Sequence, residues 1–382
     1  MKQRRFLVYL VAAMAATSVF AQSPSSKKPF SISALRLIGE KEIPHNLSYQ
    51  GTTVGGLSSI DYDSKSGLYY LICDDRSAIN PARYYTAKIF FTEKGVDSVT
   101  LLGVTNLLQP NGKTYPNAKE DPAHTPDPEA MRYDPLRKQF AWSSEGERII
   151  RGKDTVLQNP FIHLITRDGR FRDSFPLPVN LRMQAIEMGP RQNGVLEGMS
   201  FTRNYRSLFV NVEEPLYEDG PRADLTDNQP WIRIYRFDVA SKKNTAQYAY
   251  QLDPVAYPTT PPGAFMVNGV PDILSLDDRQ LIVMERSFST GRWPCTIKLY
   301  LTDLATAGDV RSNTSLRKHP PAKPLRKKLL LNMDDLGIYV DNVEGMTLGP
   351  VLPNGHRTLV LVSDNNFNLA EKTQMFVFEI IP

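Results

Sequence analysis

Along this chain, short apolar runs alternate with polar turns, and the same sub-pattern returns five times. Each copy opens on a short strand: "GGLSSI" from Gly55, "PEAMRY" from Pro128, "LEGMSF" from Leu196, "PDILSL" from Pro271 and "VEGMTL" from Val343. The equivalent positions Leu57, Ala130, Gly198, Ile273 and Gly345 are separated by 73, 68, 75 and 72 residues. A turn rich in Asp, Asn, Pro or Gly follows, then a strongly apolar run such as "LYYLICDD" from Leu68 or "SLFVNVEE" from Ser207. That order reads as a hairpin. A third strand alternates aromatic or branched residues with polar ones, as in "RYYTAKIFF" from Arg83 and "WIRIYRFDVA" from Trp231, which fits a half-buried antiparallel strand.

Copies one to four carry a fourth strand, such as "DSVTLLGV" from Asp97, but the fifth ends at Pro382 without one. Residues 32–43, "ISALRLIGEKEI", supply a strand of the right kind ahead of the first copy. Paired onto the last copy, it closes a ring and removes the open edges of a linear array. The expected fold is therefore all-β: one β-propeller of four-stranded antiparallel blades spanning 32–382, with five blades visible and room for a sixth, degenerate one. A solenoid or a pair of sandwiches is the competing arrangement.

Residues 1–21 stand apart from this pattern. Lys2, Arg4 and Arg5 precede the apolar run "FLVYLVAAMAATSVF", and Val19-Phe20-Ala21 offers a small-residue cleavage site, so a signal peptide is expected, followed by a polar leader over 22–31. The mature protein is then expected in a periplasm or outside the cell, with no transmembrane segment. The formal net charge is +4. With the three basic residues of the expected signal peptide set aside, the remainder is close to neutral, which argues against a nucleic-acid partner. The basic stretch from Arg311 to Lys328 reads as a solvated loop. Cys73 and Cys295 lie in strands of different copies and are read as two buried thiols rather than a disulfide. Oligomeric state has no signature in the sequence.

Acidic positions recur with the repeat, and a propeller's symmetry brings equivalent positions around one axis. Glu129, Glu197 and Glu344 precede a small residue and a Met, and Asp272 holds the corresponding place in the fourth copy. A second ring closes the following strand: Asp74 and Asp75, Glu145, Glu213, Glu285 and Asp364. Converging carboxylates cannot all ionise without cations or basic partners, and oxygen-only ligands suit Ca²⁺ or another hard divalent ion. Glu129, Glu197, Glu344 and Asp364 are the candidate metal ligands. Asp75, Glu145, Glu213 and Glu285 are the candidate proton-transfer groups. Arg76, Arg83, Arg148 and Arg286, close behind those strands, are candidates for binding an anionic substrate, because guanidinium forks match phosphate and carboxylate oxygens. Met131, Met199 and Met346 are expected in the core, and His124 on an exposed loop. The chain has no GxSxG elbow, HExxH, P-loop or GxGxxG motif.

Taken with "GLSSIDYD", "DPEAMRYD", "FAWSSEGE", "MERSFS", "NVEGMTL" and "LVLVSDNNF", the chain resembles the phytase-like family, named for an esterase-like activity of phytase. The resemblance implies an exported propeller that hydrolyses phosphate esters or other esters with the help of a metal, on a small anionic or ester substrate. It assigns no nucleophile. A calcium-dependent lactonase or carboxylic-ester hydrolase, and a non-catalytic periplasmic binding propeller, are the alternatives.

Overall fold

The structure is a computed structural model describing residues 31–382, so the expected signal peptide and nearly all of the leader lie outside the described residues. Five four-stranded antiparallel sheets form the blades of a propeller. Blade 1 is Ser59–Asp63, Leu68–Cys73, Arg83–Thr92 and Gly95–Asn106. Blade 2 is Pro128–Asp134, Gln139–Ser144, Phe161–Ile165 and Phe171–Phe175; blade 3 is Leu196–Phe201, Ser207–Val212, Trp231–Asp238 and Asn244–Gln251. Blade 4 is Met266–Ser275, Gln280–Ser289, Arg292–Asp303 and Lys327–Asn332. In blade 5, Asn342–Val351, Arg357–Asp364 and Thr373–Ile381 are completed by the N-terminal strand Ala34–Ile43. That strand pairs with the C-terminal one from Ala34 opposite Ile381 to Ile43 opposite Thr373, closing the ring as expected and settling the blade number at five.

The first strand of each blade is innermost, each packing on the first strands of its two neighbours around the axis. Glycine permits that approach: a Cβ on Gly345 would lie 2.8 Å from the Ser59 Cα, and one on Gly198 would lie 2.7 Å from the Asp272 Cα. Apolar residues fill the spaces between blades, and Met131, Met199 and Met346 are buried there. Both cysteines are buried and unpaired. Burial pushes both thiols up, Cys295 to about 12.

Arg132, from the innermost strand of blade 2, lies across the axis. Its guanidinium donates to both carboxylate oxygens of Asp272 in blade 4 at 2.8 and 2.7 Å. It also donates to the Ser59 hydroxyl and Ile60 carbonyl of blade 1, the Met199 carbonyl of blade 3 and the Met346 carbonyl of blade 5. One side chain thus touches four other blades. Asp272, which the sequence places in the acidic ring, is consumed by this knot, accepting also from the backbone N–H groups of Met346 and Ile273.

The basic stretch between the third and fourth strands of blade 4 is anchored to blade 3: Val310 N–H donates to Gln247 O and Leu325 N–H to Ala249 O. Among the described residues, no helix is long and apolar enough to cross a membrane.

Candidate functional site

At one end of the axis the innermost strands and the loops that follow the second strands surround a cavity of about 790 Å³. Ten carboxylates line it against three guanidinium groups, those of Arg76, Arg222 and Arg286. Glu129, Glu197 and Glu344 arrive from the innermost strands of blades 2, 3 and 5, and Glu145 and Glu213 from the ends of second strands, as the repeat predicted. Asp127 joins them from the end of the long loop before blade 2. It precedes Glu129 by two residues, and extended backbone turns i and i+2 to one face. Ligand oxygens of Asp127, Glu129 and Glu145 all lie within 4.8 Å of one another.

The electrostatics are those of a site with too much negative charge. Burial raises the carboxyl groups first, and mutual repulsion adds to it: Asp127 to about 6, Glu145, Asp74 and Glu344 to about 8, with Glu129 and Glu197 driven well above the usual range. Glu145 accepts from the backbone N–H of Gly194 at 2.7 Å and from that of Val195, which fixes its position. Glu145 and Glu197 are neighbours, and burial together with the charge of Glu145 holds the Glu197 carboxyl well above the usual range. Each arginine is already engaged. Arg286 bridges Glu213 at 2.5 Å and Glu344 at 2.8 Å; Arg76 pairs with Glu147 and, at 3.6 Å, with Asp127; Arg222 pairs with Glu214 at 2.6 Å. They position carboxylates and leave an excess of acid facing the cavity.

Five sequence candidates, Asp75, Arg83, Arg148, Glu285 and Asp364, do not line this cavity, each because it is held elsewhere. Asp75 caps its own loop, accepting from the N–H groups of Ala78, Ile79 and Asn80, and forms a 2.7 Å ion pair with fully buried Arg83. Arg83 also donates to the Tyr85 hydroxyl and the Thr53 carbonyl. Arg148 donates to the carbonyls of Gln184, Ala185 and Ile186, pinning a loop. Glu285 is surrounded by Tyr250, Asn268 and Lys327, all within 2.8 Å, and by the Asp253 N–H. Asp364 is buried outside the lining, its Oδ1 accepting from the Asn366 N–H at 2.9 Å. His124 stays exposed, paired with Asp121.

Asp74, Asp127, Glu214 and Asp341 also line the cavity without having been singled out as site residues. Asp74 already stands in the second ring of the repeat, and Asp127 has a signal in its i, i+2 relation to Glu129; the others have none.

The donor set answers what this site can hold. The carboxylate oxygens of Asp127, Glu129 and Glu145 form an oxygen-only donor set, which fits a hard cation far better than a soft one. The buried trio Asp127, Glu129 and Glu145 could bind a metal ion.

Residues 52–367 match the family described as phytase-like, esterase-like activity of phytase. No curated protein matches the chain. Among solved structures, the chain is similar to an endo-arabinase from Bacteroides thetaiotaomicron, at 15% identity over 86% of this chain and 95% of that one, with a TM-score of 0.44. It is similar also to an α-L-arabinofuranosidase from Lactobacillus brevis (11% identity, 85% and 91% covered, TM-score 0.45). A periplasmic gluconolactonase from Pseudomonas aeruginosa aligns at 10% identity over 87% and 90%, with a TM-score of 0.35.

Proposed function

The chain belongs to the phytase-like family, and from that premise we propose that it is an exported, metal-dependent hydrolase of phosphate esters whose chemistry takes place in the carboxylate cavity. The observation that carries the reading is the convergence of Asp127, Glu129 and Glu145 within 4.8 Å in a cavity whose acids outnumber its arginines. A bare cavity of this charge repels a phosphate. Cations held by these carboxylates invert the local field, so they would be needed for the substrate to bind at all.

Asp127, Glu129 and Glu145 would hold Ca²⁺ or a similar hard divalent ion, with Glu197 and Glu344 close by. Such an ion supplies Lewis-acid polarisation of a phosphoryl oxygen and a water of lowered pKa. The rest falls to the chain's own groups. Glu197, a neighbour of Glu145 and outside the metal-holding trio, is the group that would take or give a proton beside the ion. Arg286 holds Glu213 and Glu344 apart at fixed positions, and Arg76 does the same for Glu147. These roles replace the direct phosphate contacts that the arginines suggest in the sequence. Export rests on the leader pattern of residues 1–21.

The test is hydrolysis of phytate, an aryl phosphate and an aryl acetate by the purified mature protein, with Ca²⁺ and after chelation. Calcium-dependent phosphate release that is lost in Glu129→Gln supports the reading. Acetate release indifferent to chelation would instead favour a carboxylic-ester hydrolase, and ligand binding without turnover a binding propeller.

A further inference from the structure

The ring of acids is broken at blade 4. There Asp272 is held by Arg132 and Glu285 by Lys327, Tyr250 and Asn268. In their place the cavity is lined by Phe265, Val267, Phe288 and Trp293. The first three strands of this blade run 10, 10 and 12 residues, against 6, 6 and 8 in blade 3, and their extension carries these side chains up beside the mouth. Phe265 and Trp293 are 56% and 60% exposed, yet the backbone around them is firmly tied. Thr290 donates to the Phe265 carbonyl through both its N–H and its hydroxyl, and Thr260 N–H donates to Thr290 O. The Arg292 guanidinium lies over the Tyr257 ring at 4.1 Å, and the Ser289 hydroxyl donates to the Tyr257 carbonyl. Large apolar side chains kept open to water on a fixed frame, in the same cavity as the carboxylates, mark a binding surface.

We propose that this wall binds the apolar alcohol part of the substrate, so that the cavity selects phosphate monoesters carrying an aromatic or alkyl group over fully polar polyphosphates. The inference rests on the phosphate-ester reading of the cavity and narrows it. One end of such a substrate is anionic and meets the cation-loaded acids on blades 2, 3 and 5. The other is a flat or flexible apolar group that removes the Phe265, Phe288 and Trp293 faces from water. A polyol bearing only phosphates leaves that wall wet and gains nothing from it.

The experiment compares kcat/KM for 2-naphthyl phosphate, methyl phosphate and phytate in the wild type and in Phe265→Ala and Trp293→Ala, both at exposed positions where truncation spares the core. Because naphthol leaves more readily than methanol, the readout is the change in the naphthyl-to-methyl ratio between proteins: it is expected to fall about 10- to 100-fold from the wild type to the variants as apolar cover is lost, mainly through KM. A second readout needs no turnover. Of the three tryptophans, Trp142 and Trp231 are buried, so quenching by 2-naphthyl phosphate reports on Trp293. Calcium-dependent quenching, abolished in Trp293→Phe and weakened in Phe265→Ala, supports the wall even if no phosphate is released, in which case only the hydrolase reading fails. Phosphate release with a naphthyl-to-methyl ratio unmoved by the variants overturns the wall and leaves the hydrolase reading standing. Neither quenching nor turnover overturns it as well.

Discussion

Chelating divalent cations and then restoring Ca²⁺ while following thermal unfolding at several pH values exposes the charge state of the cavity directly. In the cation-free protein Asp127 titrates near 6, and Asp74, Glu145 and Glu344 near 8, against ordinary values of 3.8 and 4.5. Between about pH 4.5 and 8 the folded state therefore binds more protons than the unfolded chain, and stability falls as pH rises across that window. A cation favours the ionised carboxylates and reverses the penalty. With an unfolding entropy of about 2.1 cal/mol/K per residue over roughly 350 residues, the slope at Tm is about 0.7 kcal/mol/K. One ion at a hundredfold its Kd contributes about 2.7 kcal/mol, hence about 4 °C. If its binding displaces one proton, the apparent Kd weakens about tenfold per pH unit below 8, so at the same Ca²⁺ concentration the shift shrinks to well under 1 °C by pH 6. Calorimetry in buffers of different ionisation enthalpy should register the released proton. A Ca²⁺ shift equal at pH 6 and 8, or a chelated protein that gains stability from pH 5 to 8, would refute the reasoning.

Replacing Arg132 with Met strips the only guanidinium from buried Asp272 and should cost about 3–5 kcal/mol in urea unfolding, with part of it recovered in the Arg132→Met/Asp272→Asn double variant. Arg286→Gln leaves Glu213 and Glu344 facing each other without their shared cation; the expected loss is on the order of 3 kcal/mol at pH 8 and smaller at pH 5, where Glu344 is protonated. Glu129→Gln should lower Ca²⁺-dependent turnover by at least about 100-fold, more than a supporting partner of a ligand contributes, while the chelated variant melts no lower than the wild type, since one repelling acid has gone. Both thiols should resist an aromatic disulfide reagent in the native protein and react only on unfolding, because Cys73 and Cys295 are buried with raised pKa values.

The repeat was legible because a strand's period of two and its turn residues are written locally, and closure was legible because the last copy lacks a strand that the N-terminus possesses. Local pattern served the site less well. In "DDR" nothing in the sequence says which aspartate turns to the mouth. Asp74 does, while Asp75 turns back to cap its loop. Arg83 and Arg148 carry the side chain that binds phosphates elsewhere, but Arg83 pairs with Asp75 of its own blade and Arg148 donates to carbonyls of the connection leading to blade 3. The repeat also suggested an even ring, and blade 4 departs from it through residues distant in sequence, Arg132 for Asp272 and Lys327 for Glu285. Arg132 lies inside the DPEAMRYD motif with no local mark of its role, which exists only once five blades meet.

That arginine makes the propeller a cup and not a pipe. Three residues beyond Glu129 on the same strand, about 10 Å deeper by strand rise, its fan of hydrogen bonds crosses the axis and touches every other blade. Whatever enters the carboxylate cavity must leave by the door it came through. Polymers cannot thread the molecule, and everything that binds in the cavity shares one route in and out.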